Sequence, residues 1–558
     1  RMDNSWTPLG PADSFPIGEP TIHKTTGHRL VVIRDPRDEA VHVLDDQCPH
    51  EGYPLSQGTL REGVLTCAWH NWKFDICTGN CTTGGDQVRR YPTRIRSGVL
   101  EADLKIDVTR EQARLVSGIR QGLFENDQNR TLRDALRLEG LSRGDASPFA
   151  VMAEDSANRS EWGFGHSSAA LADVVAWVDD RSLSAAEGLA VGAELIGELL
   201  MREPRRSTAA AGSTASNPSA LPADGSTLHD ALQREAVDEA EAIVRGLSTD
   251  RREEAIHGVV AFLSTDLIAY GHGAIYLLKA LELAWRFPSA ADDLLASATV
   301  SAGWGTRETA LPPFRYTHRA LESWREAPGS GSIANESDYL HAVLEGERSA
   351  VDATRAALKD GASAVELLRL SGRAAAHRLR AYDPTWEKRD DVAVTVLDVS
   401  HAVTFAEAAQ ALLPFAEGAA AGRLALQAAA FVGKLEHAGP DRSTSAARSD
   451  MSLDDALAHR DENAARGALR DVPVDAAFRR LRPFAALDAA VRPIFIAHTI
   501  KTTEALHRMA AKDPRAERTY LDACLHMIVP RLRERFHRRN AKLATKFVAD
   551  GRPPAGLY

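Results

Sequence analysis

The spacing of hydrophobic positions changes once along the chain. Over about the first hundred residues they fall in short runs: RLVVIRD at 29–35, AVHVLDD at 40–46, GVLTCAW at 63–69 and GVLEADLKIDV at 98–108. Gly, Pro, Asp and Asn separate these runs, a pattern that predicts a small antiparallel β domain. From about Glu111 the text turns to Ala, Leu, Arg and Glu with helical spacing, as in ALADVVAWVDD, SAAEGLAVGAELIGELLM and VELLRLSGRAAAHRLRAY. That spacing predicts helices with one buried face, and no later stretch reads as a sheet. The expected fold class is therefore α+β and multidomain, a small β domain followed by a large all-α domain. The expected boundaries are 1–110 for the β domain, 111–203 for a helical segment, 204–227 for a flexible linker and 228–558 for the all-α domain. The linker is small and polar with almost no apolar anchor, and AGPDRSTSAARSDMS at 438–452 predicts a second loop of the same kind. FGHSSAALADVV at 164–175 echoes YGHGAIYLLKAL at 270–281, and DYLHAV at 338–343 echoes DVSHAV at 398–403, which leaves tandem helical repeats open beside chance.

Length and charge narrow the class. A chain of 558 residues exceeds one core, so several domains are expected. The formal net charge of −10 argues against a nucleic-acid binder. No run of 18 apolar residues occurs and RMDNSWTPLG lacks a leader's apolar core, so neither membrane span nor signal peptide is expected and the location expected is cytoplasmic. Of five cysteines, four fall between 48 and 81, which is cofactor usage and not a disulfide framework.

Those cysteines sit in CPHEGYPLSQGTLREGVLTCAWHNW at 48–72, which reads Cys-x-His, a gap, then Cys-x-x-His. The same four ligand types could hold structural zinc, but zinc ribbons pair Cys-x-x-Cys knuckles and this text does not. The pattern resembles the Rieske family over about residues 5–108, with the continuation Trp72, Phe74, Asp75, Thr78 and Gly79 also similar to ferredoxin-type and oxygenase-type members. The resemblance implies a 2Fe-2S cluster bound by Cys48, His50, Cys67 and His70 on two hairpin loops. It also implies an external electron donor, a reductase or ferredoxin. Imidazole ligation of one iron sets the reduction potential at about −150 to +300 mV. Tyr53 and Trp69 occupy the positions of the extra disulfide in respiratory relatives, which points to the lower part of that range. Asn71 stands where many relatives have Gly, and Asn tolerates a left-handed turn. Cys77 and Cys81 are expected to pack as small apolar residues.

A cluster of this kind moves one electron, so the chemistry falls to the helices. The mononuclear-iron string of ring-hydroxylating relatives is absent after residue 110. An acid and a His three apart, which share a helical face, occur at Glu254/His257, Asp338/His341, Asp398/His401, Glu504/His507 and Glu534/His537. His272, His401 and His498 stand in long apolar helical text, where a buried imidazole needs a partner. His257 and His272 could share an ion only across a break at Tyr270-Gly271. Residues 250–440 also resemble the questin-oxidase-like helical family, which implies oxidative chemistry on aromatic polyketides with that family's histidines at His272 and His401. The ligands expected for a second, non-haem iron are His272, His341, His401, Asp338 and Asp398. The function expected is an oxidoreductase, an oxygenase acting on a small organic substrate and dioxygen, with a homo-oligomer left open. Its rivals are an electron carrier fused to a docking or oligomerisation scaffold, and a redox sensor.

Overall fold

Among the described residues, β-branched and aromatic residues bounded by turns form ten short strands, all paired antiparallel. One sheet joins β1 (Trp6–Pro11), β10 (Val99–Asp103) and β9 (Thr93–Arg96). A second joins β2 (Thr21–Thr25), β3 (His28–Arg34), β4 (Val41–Asp45) and β8 (Arg90–Tyr91). The third is the meander of β5 (Thr59–Arg61), β6 (Val64–Thr66) and β7 (Lys73–Asp75). Val31, Ile33, Leu44, Leu65 and Phe74 bury their side chains in one core with Cys48 and Cys67. The computed structural model describes residues 6–83, 85–141, 147–202, 225–247, 251–311, 314–383, 395–435, 449–487, 493–529 and 536–550. Most of the expected linker at 204–227, most of the loop at 438–452 and Glu534 lie outside them, as does the side chain of His537.

The chain divides into two compact units, residues 1–148 with 539–558, and residues 149–538. The division departs from the expected boundary at 110, because the helices Val108–Glu125 and Gln128–Leu141 join the β domain through ion pairs. Arg89 donates to Glu111 at 2.7 Å, and Arg130 lies 2.9 Å from Asp86 and donates to the Gly85 carbonyl at 3.1 Å. A helix near the C-terminus, Phe536–Asp550, lays Phe547 against Gly52, where an added Cβ would come within 2.0 Å of the ring.

The second unit is helical. Its central helices are His166–Asp179, His272–Arg286, Val396–Ala411 and Pro493–Lys512, each carrying one histidine at or near its start. Ala is the commonest of their other buried residues, with Leu next, and small residues let the helices approach closely. The break read at Tyr270-Gly271 is present: Ala269, Tyr270 and Gly271 have φ of 46, 55 and 85°, a left-handed turn that starts the next helix at His272. Among the described residues no helix is long and apolar enough to cross a membrane.

Candidate functional sites

The third sheet presents two loops side by side. In the first, Cys48 N–H donates to the Tyr53 carbonyl at 2.9 Å and Gly52, at φ 78°, closes the turn onto the Cys48 carbonyl at 2.8 Å. In the second, Cys67 N–H donates to the Trp72 carbonyl at 2.8 Å, and Asn71 takes the left-handed conformation expected of it, φ 57°. The loops bring the Nδ1 atoms of His50 and His70 to 3.1 Å and the two thiols into hydrogen-bond contact. The contact between the thiols, with N–H groups of Trp69 and His70 behind it, lowers Cys67 to about 6 while burial opposes. Cys48 is pushed up, first by the same contact and then by burial, since two neighbouring thiolates repel. Two sulfurs and two Nδ1 atoms, converging with backbone donors aimed at the sulfurs, fit a 2Fe-2S cluster as a donor set.

Around these donors the surface is uneven. Trp72 stacks on His50 at 4.4 Å, leaving His50 half-buried, whereas His70 is exposed beside Trp69. Tyr53 and Trp69 stack with centroids 5.9 Å apart, filling the place of the missing disulfide with an aromatic pair. Cys81 packs on the same core as expected, but Cys77 does not: it is exposed, with Arg37 Nη2 3.8 Å from its sulfur.

The second unit holds another convergence. His166, His272, His401 and His498 each offer a ring nitrogen within 4.8 Å of the others, close enough to hold one metal ion. His498 Nε2 lies 2.7 Å from His401 Nε2, and the rings of His166 and His272 are 4.4 Å apart. Outer contacts orient them: His498 Nδ1 donates to the Ile494 carbonyl at 2.6 Å, and His166 Nδ1 pairs with the Tyr276 hydroxyl at 2.7 Å. Such bonds fix which nitrogen faces inward. His166 Nε2, His272 Nε2 and His401 Nδ1 are buried without a hydrogen-bond partner, at a cost of about 1–3 kcal/mol each. Burial, followed by the charge of Lys501, lowers His166 and also His272, the latter to about 3. Burial and neighbouring cationic groups lower His401 and His498 as well. All four imidazoles are therefore held neutral, the form that binds metal.

Only part of the ligand set expected for a second iron falls in this group. His272 and His401 are in it, but Asp338, His341 and Asp398 are not, and no carboxylate joins the group. Asp338 and His341 are exposed on the helix Glu336–Glu345, where Asn335 caps the start and donates to Asp338 at 2.7 Å. Asp398 completes a capping box with Thr395. Acids at the third position of a helix bind its free N–H groups, so the acid-x-x-His spacing there reports helix starts and not ligands. His257 instead faces the Phe415 carbonyl at 3.0 Å, and His507 pairs with Asp475 at 2.9 Å. His166 was not among the expected ligands, although the echo of FGHSSAALADVV with YGHGAIYLLKAL places it level with His272.

The β fold and its four donors define an iron–sulfur electron-transfer domain of the two-cysteine, two-histidine kind. Residues 5–94 match the Rieske [2Fe-2S] domain. They align with the ferredoxin subunit of anthranilate 1,2-dioxygenase from Burkholderia cepacia, 33% identical over 18% of this chain and 92% of that one. The chain belongs to the Rieske family, and the cofactor of its first unit is the Rieske cluster.

Two larger relatives are similar over the same domain. One is 4beta-methylsterol monooxygenase of Methylococcus capsulatus, 41% identical over 12% of this chain and 18% of that protein. The other is the chloroplastic pheophorbide a oxygenase of Arabidopsis thaliana, 33% identical over 18% of this chain and 22% of that one. The matched part thus spans about a fifth of these oxygenases.

Proposed function

We propose that the chain is a Rieske oxygenase whose second unit holds one non-haem iron on His166, His272, His401 and His498. The observation that carries this reading is the convergence of four neutral imidazoles within 4.8 Å with three buried nitrogens unpartnered. Such a donor set suits iron, copper, nickel or zinc, and an electron-delivering domain in the same chain favours the redox-active metals. When bound, the Rieske cluster supplies single electrons and the second iron supplies a site for dioxygen.

The chain's own residues do the rest. Cys48 and Cys67 bind through sulfur and His50 and His70 through Nδ1, while exposed His70 and Trp69 give an external reductase or ferredoxin an edge to approach. In the second unit, the positive ends of the helices that start at His166 and His272 and the Lys501 ammonium favour negative charge beside the imidazoles. Half-exposed Tyr270, stacked toward His401 at 6.3 Å, stands where a small organic substrate would enter. The resemblance of residues 250–440 to questin-oxidase-like proteins accords with this reading. An electron carrier with an inert helical scaffold would have no use for three buried imidazole nitrogens without a partner, which is why the oxygenase is preferred.

A single-turnover experiment tests the proposal. Chemically reduced full-length protein is mixed with dioxygen while the cluster's paramagnetic signal and oxygen uptake are followed together. Wild type should lose the signal as oxygen is consumed, and a His272→Ala/His498→Ala variant should keep its cluster while oxygen uptake falls at least tenfold. Equal uptake by both proteins would refute it.

A further inference from the structure

A second buried layer of side chains lies two helical turns beyond the imidazoles. Seven residues after His166 and His272 come Asp173 and Lys279; the helices of His401 and His498 add Glu407 and Glu504 six residues on, and Arg508 one turn further, which reaches back to Glu504. Seven residues rise about 10 Å. Lys279 Nζ donates to Asp173 Oδ1 at 2.6 Å and to Glu282 at 3.2 Å. Arg508 bonds Glu282, bonds Glu504 at 3.0 Å, and lies 3.8 Å from Asp173 and 3.5 Å from Glu407. Glu504 also receives Arg482 at 2.8 Å and the Trp177 indole at 2.7 Å.

Charge counting leaves this layer one proton short. Asp173, Glu282, Glu407 and Glu504 face three permanent cations, Lys279, Arg508 and Arg482, and Asp180, which also pairs with Arg482, is offset by Arg479 at 3.2 Å. Lys501, one turn after His498 and so between the two layers, is 0% exposed and its Nζ has no hydrogen-bond partner. Asp173 is likewise 0% exposed, and its Oδ2 has none. One proton held on either Asp173 or Lys501 would balance the layer. On the other side, Glu282 and Arg508 line an open cleft of about 380 Å³ with Asp179, Trp285 and Arg286, so water reaches the layer there.

We infer that Asp173 is a proton relay: it draws a proton from the cleft through Glu282 and passes one through Lys501 toward the four-histidine centre. The inference rests on the proposed function, since reduction of dioxygen there consumes one proton for each electron delivered. Each proton released inward is replaced by one from water in the cleft, so Asp173 and Lys501 end each cycle as they began. Burial pushes the Asp173 carboxyl up, to about 7, against Lys279 and Arg508, and pulls Lys501 down to about 7. Both groups can therefore gain and lose a proton near neutrality. Asp173 touches neither substrate nor metal and is a positioning residue for the proton, not a catalytic one.

Infrared difference spectra of the full-length protein between mildly acidic and mildly alkaline pH test this without turnover. The expected result is a protonated-carboxyl band that titrates near neutrality, shifts in heavy water and is absent from Asp173→Asn. Oxygen uptake by that variant should fall at least tenfold with metal content unchanged. Should Asp173→Asn misfold, Glu282→Gln at the cleft should slow uptake and raise its solvent isotope effect while keeping the Asp173 band. A wild type without a titrating band, or a band that survives Asp173→Asn, would overturn the relay whatever the metal content. A band present in protein that binds no metal at the histidines would remove the proton's destination and overturn it through the proposed function instead.

Discussion

His401 and His498, 97 residues apart in sequence, face each other across two helices with their Nε2 atoms 2.7 Å apart. Neither ring has a carboxylate to pair with, and burial holds both neutral. Two lone pairs at that distance repel unless a proton or a metal lies between them.

The Tyr276 hydroxyl, 2.7 Å from His166 Nδ1, orients the ring that the other three meet. Tyr276→Phe keeps the packing and removes the bond. Metal retention at the four histidines should weaken about 10- to 100-fold, read by chelator competition, with the Rieske absorption unchanged.

Gly271 starts the His272 helix from a left-handed turn at φ 85°, and a Cβ there would lie 2.7 Å from the Phe405 ring. Gly271→Ala should cost about 2–4 kcal/mol from backbone strain and overpacking together. Denaturant unfolding of the full-length protein followed by helix content would show the loss.

Glu111 is buried, which opposes its charge, but Arg114 and Arg89 hold its carboxyl at about 2, below the ordinary 4.5. A depressed folded-state value means the stabilisation is complete above 4.5 and is lost as pH falls through 2. It amounts to about 3 kcal/mol. Glu111→Gln should therefore destabilise the first unit at neutral pH, and the gap from wild type should close as unfolding is measured at progressively lower pH.

The two sites differ in how far the sequence reveals them. Cys48, His50, Cys67 and His70 lie within 23 residues, and their loops are set by local turns such as Gly52 and Asn71, so spacing alone identifies them. The four histidines come from helices spread over more than 300 residues, and only packing brings them together. His272, His401 and His498 betray themselves because apolar text on all sides predicts burial. His166, opening its helix after Gly165, lacks apolar text before it, and only its echo of the His272 segment signals it. Asp338 and Asp398 misled because one spacing serves two purposes, capping a helix and sharing a face with a histidine. The helices at 108–141 belong with the β domain through Glu111 and Arg130, long-range ion pairs that no local pattern announces.

Iron and acid-labile sulfide per chain, measured on anaerobically purified full-length protein, test the central claim most directly. The account predicts about three irons with about two sulfides in wild type, and about two of each in His272→Ala/His498→Ala. About two irons with two sulfides in both proteins would contradict it, and would leave the Rieske cluster as the chain's sole iron centre.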